Sequence, residues 1–178
     1  NVNTYKEIQT LREDFEVYSL LKLKNKNEMV AGGSGKSVSF WNTITFTKEH
    51  TVECCECYSS NGLIELPNCC VAVSGGDSST IDVIDTKTYQ RIKQIQCKGY
   101  IVGDDGWYSS LHLLRNGTFI YSHEGCFCQI SSTTYGILYK EKMEDEFRGD
   151  AIISTFNGKY IIADNDNRGI LIFKVNYI

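Results

Sequence analysis

The chain is nearly without proline: Pro67 is the only one in 178 residues. It has no excess of positive charge, with 18 Lys and Arg against 22 Asp and Glu and a formal net charge of −4. A general nucleic-acid binder would carry a basic field, so that class is set aside. No apolar run approaches the roughly 20 residues that a membrane-spanning helix needs. The opening residues, NVNTYKEIQT, lack a signal-peptide pattern, and the missing initial Met suits a piece of something longer.

Hydrophobic residues make up 42% of the chain, too many for a disordered segment. Gly (15), Tyr (11) and Phe (8) are plentiful, which without proline favours strands and tight turns over helices. The length suits one compact domain with a sizeable core. Eight cysteines occur as Cys54, Cys55 and Cys57, the pair Cys69 and Cys70, single Cys97, and Cys126 with Cys128. Without a secretory signal they are expected to be reduced thiols of a cytosolic or nuclear protein.

A repeat is the main signal. VSFWNT (38–43) aligns with IDVIDT (81–86) at an offset of 43, and the same offset lays AGGSGKS (31–37) on SGGDSST (74–80) and LLKLKNKN (20–27) on LIELPNCC (63–70). Two further copies follow: residues 109–122 leading into 127–139, and residues 150–164 leading into 170–178. Trp41, Ile84, Ile130 and Phe173 align at spacings of 43, 46 and 43. Periods of about 40–45 residues holding four short strands mark propeller blades. Within a copy, Asn116-Gly117 and Asn157-Gly158 read as hairpin turns in which both residues need φ > 0. CCVAVS and KYIIAD are apolar at consecutive positions, as strands buried on both faces are.

The predicted fold is therefore all-β, a β-propeller of four four-stranded antiparallel blades in a single domain, at about 19–53, 62–97, 109–141 and 150–178. The last copy stops at its third strand, and NTYKEIQTL (3–11) matches the fourth strand KTYQRIKQI (87–95). Residues 3–11 would complete the last blade and close the ring, since closure pairs an exposed strand edge. The alternative is that they finish a preceding blade of a longer propeller. Three assemblies fit: a closed four-blade monomer, a homodimer forming an eight-blade ring, or half of a longer chain.

The copies resemble the WD-repeat family of propellers over nearly the whole chain. The family's Trp-Asp dipeptide corresponds to Trp41-Asn42, Ile84-Asp85, Ile130-Ser131 and Phe173-Lys174, so no copy keeps both residues, and no Gly-His precedes a first strand. The resemblance implies a rigid scaffold that docks proteins or peptides, not an enzyme.

Competing motifs are weaker. In AGGSGKS a phosphate loop would need glycine where Val30 stands, and the segment lies between two strands, so it is expected to be a turn. The cysteines lack the paired spacing of a zinc site, although Cys55 and Cys57 would share a strand face; no metal and no cofactor is expected. His112 sits in an apolar strand, as a hydrogen-bonded interior or interblade residue would. His123, beside Glu124 in a loop, has no nucleophile or third group at a defined spacing.

Strand order gives a charge map. In a propeller the connections between blades and those between second and third strands share one face. Those windows hold 15 acidic and 6 basic residues, leaving 7 and 12 for the rest of the chain. The acids include Asp77, Asp104, Asp105, Glu144, Asp145, Glu146, Asp164 and Asp166; Trp107 lies beside two of them and Arg168 follows the last. With His123, the residues Asp77, Asp104, Asp105, Trp107, Asp164, Asp166 and Arg168 form the candidate protein-binding face, expected to take a basic peptide or protein segment. No membrane or nucleic-acid partner is expected.

Overall fold

The computed structural model describes residues 7–54, 60–75, 79–97, 109–123, 126–142, 152–155, 158–164 and 170–174. Four antiparallel sheets follow one another along the chain. The first contains β1 (Val17–Lys22), β2 (Glu28–Gly33), β3 (Ser37–Asn42) and β4 (Lys48–Glu53). The second has β5 (Ser60–Leu66), β6 (Cys70–Gly75), β7 (Thr80–Asp85) and β8 (Gln90–Gln96). The third has β9 (Ser109–Leu113), β10 (Thr118–His123), β11 (Cys126–Ser131) and β12 (Ile137–Lys142). The fourth has three strands, β13 (Ile152–Ser154), β14 (Tyr160–Asp164) and β15 (Ile170–Lys174). Each sheet is a meander in which sequence neighbours pair, and the described residues include no helix.

The sheets stack face to face, which explains why the middle strands are apolar on both faces. Every residue of β6 is buried. Val30, Val38 and Phe40 of the first sheet meet Val71, Val73 and Ile84 of the second. On the other side of the second sheet, Ala72, Ile81 and Val83 meet Phe119, Tyr121, Cys128 and Ile130 of the third. Ile120 and Phe127 then meet Ile152, Ile161 and Ala163 of the fourth. Each large side chain so buried contributes about 1.5–3 kcal/mol, so the junctions hold the sheets in fixed order. The last strand of each complete sheet faces outward, and β12 is exposed along its whole length.

One expectation needs correction. The hairpin at Asn116-Gly117 has only Gly117 at positive φ, 81°. Leu114 and Thr118 bracket a three-residue connection, with Leu114 N–H donating to the Thr118 carbonyl and Gly117 N–H to that of Leu114. This is a type I turn closed by a left-handed glycine, in which asparagine keeps ordinary dihedrals. Closure is not shown: residues 7–11 form no strand, and residues 3–6 lie outside the described residues. The chain from Glu13 to Glu16 crosses the outer face of the first sheet: Glu13 accepts from the Trp41 indole N–H and from Lys48, and Phe15 lies beside Gly33 and Gly35.

The turns joining third to fourth strands share a device absent from the expectations. Asn42, Asp85 and Ser131 each accept two backbone N–H groups through the side-chain oxygen, from residues two and three places on. These contacts hold the Asp85 carboxyl below its usual range. Four residues on, an aromatic stands at positive φ: Phe46 (58°), Tyr89 (54°) and Tyr135 (57°). The left-handed region costs an L-residue roughly 1–2 kcal/mol, a strain that contacts with the preceding sheet offset at Tyr89 and Tyr135.

Candidate functional site: the loop face

Alternating strand direction collects two sets of connections at one end of the sheets. Ser34 N–H donates to the Glu16 carbonyl at 2.9 Å, Cys54 N–H to that of Lys36 at 2.9 Å, and Cys97 N–H to that of Ser79 at 2.7 Å. Ser109 Oγ donates to the Gly75 carbonyl at 3.1 Å. Each contact ties a connection between sheets to a turn between second and third strands. Approach is closest at Gly33, where a Cβ would stand 1.6 Å from the Glu16 carbonyl oxygen. The turns at the opposite end interlock likewise, as where Asn68 Nδ2 donates to the Ser132 carbonyl at 3.2 Å.

The candidate residues are placed unevenly. Asp77, Asp104, Asp105, Trp107, Asp166 and Arg168 lie outside the described residues. Asp164 ends β14, paired with Ile170 across the sheet, so its backbone is at the loop end. His123 departs from expectation. It is the last residue of β10, paired with Cys126 and with Ser109, and it is 1% exposed. Burial holds its pKa down to about 4, so the ring is neutral near pH 7. The strand runs further than the sequence suggested and carries His123 into the interior, where it cannot present a charge at the rim. Glu13, in the segment that leads into β1, is occupied with Trp41 and Lys48.

The other motifs take structural places. GGSGKS is the end of β2, a three-residue turn and the start of β3, which gives no helix N-terminus for a phosphate. His112 of β9 shares a 2.9 Å hydrogen bond with Ser154 Oγ of the fourth sheet, and burial lowers its pKa. It is an interblade residue. Cys54, Cys70, Cys97, Cys126 and Cys128 are buried free thiols, and Cys69 is an exposed one. Cys126 Sγ and Cys128 Sγ are 3.6 Å apart, and that hydrogen bond, then burial, raises the Cys126 pKa, keeping it a thiol. Cys55 and Cys57 lie outside the described residues. Among the described residues no three His, Cys, Asp or Glu side chains are grouped to hold a metal ion. A cleft at the opposite end is lined by Lys24, Lys26, Glu65, Cys69, Thr86 and Leu113. Two of its charged groups are engaged: Glu65 accepts the Lys24 N–H, and Lys26 reaches Glu28, Tyr89 and the Thr86 carbonyl.

Comparison with known proteins places the architecture. No family model matches the sequence, and no curated protein does. Among solved structures the chain is similar to hydrazine synthase of Kuenenia stuttgartiensis, with a TM-score of 0.74 and 18% identity over 96% of this chain and 49% of that one. It is similar to the WD40 β-propeller domain of Doa1, with a TM-score of 0.74 and 14% identity over 93% of this chain and 53% of the other. A chain in a mitotic checkpoint complex structure matches with the same score and identity, over 90% and 49%. The four sheets thus have the fold of β-propeller blades. The chain spans about half the length of the chains it matches.

Proposed function

We propose that this chain is a non-catalytic, protein-binding scaffold whose loop face docks a basic peptide or protein segment, inside the cell in cytosol or nucleus. The observation that carries it is the charge division: 15 acids and 6 bases in the loop windows. The meander of each blade supports it, because it gathers connections of this kind at one end. Opposed charge steers encounter and selects partners more than it adds affinity, so binding should weaken steeply with salt. Trp107, beside Asp104 and Asp105 in the sequence, would supply an apolar anchor of the kind that dominates interfaces. Buried reduced thiols agree with an intracellular setting. Similarity to propellers in general supports a platform, although a fold alone does not decide function.

The test is fluorescence anisotropy of a labelled Lys- and Arg-rich peptide, at low and at physiological ionic strength. Reversing Asp104, Asp105, Asp164 and Asp166 together to Lys should weaken binding about tenfold or more and flatten the salt dependence. Equal capture by the parent and the fourfold variant would overturn the acidic-face reading.

A further inference from the structure

The end opposite the loop face carries charge of one sign. Alternating strand direction gathers there the turns between first and second strands and those between third and fourth strands. They are residues 23–27, 43–47, 67–69, 86–89, 114–117, 132–136 and 155–159. These turns hold Lys24, Lys26, Lys87, Arg115 and Lys159, and no Asp or Glu. A surface built only for solubility mixes both signs, so turns of a single sign set up a positive field at this end.

The acids that flank these turns on the strands are engaged. Glu28, which begins β2, takes the Tyr89 hydroxyl at 2.8 Å and the Lys26 ammonium at 3.3 Å. Glu49 of β4 accepts from Asn42 Nδ2 at 2.8 Å. Asp85, which ends β7, accepts the backbone N–H groups of Lys87 and Thr88. Glu65 of β5 accepts the backbone N–H of Lys24 at 2.9 Å. None of the four is bonded to the Lys24 ammonium, which has no hydrogen-bond acceptor among the described residues.

That ammonium belongs to the cleft already described, about 230 Å³ in volume. The first sheet gives it Lys24 and Asn25, and the second and third give it Leu66, Pro67 and Leu113. Its size suits one or two side chains and falls short of what a cofactor or drug-sized ligand fills. The surrounding turns are pinned across two junctions. Lys26 Nζ donates to the Thr86 carbonyl across the first. Asn68 Nδ2 donates across the second to the Ser132 carbonyl at 3.2 Å and to the Tyr135 hydroxyl at 2.6 Å. A cleft held open in this way spares its ligand part of the ordering cost.

We propose that this turn face docks an acidic segment of a protein partner, with a carboxylate on Lys24 and a neighbouring apolar side chain in the cleft. Lys87, next to the cleft-lining Thr86, supplies a second positive charge. Glu28 and Glu65 stand among the lysines and divide the positive field into separated points. Such points match the spaced carboxylates of a peptide better than the dense charge of a nucleic-acid backbone. The chain's formal net charge of −4 weighs the same way. The inference uses other residues than the loop-face reading and does not depend on it.

The test is fluorescence anisotropy of a labelled Glu-rich peptide with one central Leu, in reducing buffer at low and at physiological ionic strength. Circular dichroism confirms that each variant is folded. The parent should bind the peptide, and less tightly as salt rises. Lys24→Glu combined with Lys87→Glu, both at exposed positions, should weaken binding by about tenfold or more. The pair Lys93→Glu and Lys142→Glu makes the same change of net charge on exposed outer strands and should weaken it by less than about threefold. Replacing the peptide's Leu by Ser should cost about tenfold, as one buried aliphatic side chain is lost. A parent that ignores the peptide at low salt overturns the proposal. Equal losses from the two pairs overturn it too, because they mean diffuse attraction. An unchanged affinity for the Ser peptide leaves the cleft without a role and has the same consequence. Tighter capture of a labelled single-stranded RNA than of the peptide overturns it in favour of a phosphate-binding face.

Discussion

Tyr89 and Phe46 occupy the same place in successive blades, with nearly the same φ of 54° and 58°. Tyr89 is stacked 3.6 Å from the His50 ring and bonded through its hydroxyl, while Phe46 has no blade behind it among the described residues. The difference teaches that the local turn is encoded by its own capping residue, Asn42 or Asp85, and does not depend on a neighbour. What a neighbour supplies is the packing that offsets a strained backbone.

The largest expected effect breaks that comparison directly. Tyr89→Ala should cost about 3 kcal/mol in urea unfolding, since a packed ring and its bonds are lost. Phe46→Ala should change stability by less than about 1 kcal/mol. Equal losses would mean that the first blade has a neighbour after all.

Acid should distinguish interior from ends next. His123, beside Tyr121 in the third blade, titrates at about 4 when folded and at about 6.5 when unfolded. Its folded pKa is the lower one, so the unfolded chain takes up protons first as pH falls. Stability is intact above pH 6.5 and is lost progressively toward pH 4, by about 2 kcal/mol at pH 5. His123→Gln should flatten that slope in a pH series of urea midpoints. His112, also lowered by burial, should contribute in the same direction.

Gly33→Ala should cost about 2 kcal/mol, because the new Cβ meets the Glu16 carbonyl and must push the connection off β2. Release of Glu13 would expose Trp41, visible as a red shift in its emission. The smallest effect has the opposite sign. Phe46→Gly should stabilise the chain by about 0.5–1 kcal/mol through relief of the left-handed strain, whereas Tyr89→Gly should destabilise it.

Much of this architecture was legible in the residues. The offset of 43 depends on where apolar side chains must recur to be buried between stacked sheets, and that places Trp41, Ile84, Ile130 and Phe173 on equivalent strands. The repeat of an aromatic at Phe46, Tyr89 and Tyr135 was equally present in NTITF, DTKTY and SSTTY. Its backbone shape has no local signature, because positive φ normally points to glycine or asparagine rather than to an aromatic. His123 was misplaced because a strand's last residue is set by pairing with Ser109 and Cys126, which a local pattern does not reveal. The loop-face acids were legible as charge, but charge in long connections says little about where each carboxylate stands. The curvature that separates a closed small ring from an open arc has no local signature at all.

Small-angle X-ray scattering of the reduced chain tests the central claim most directly, because it reports mass and shape together. Four blades stacked as an open arc predict, at 20.1 kDa, a distance distribution that extends further than that of a closed disc of the same mass. A 20.1 kDa particle with the narrower profile of a closed four-blade disc would contradict it.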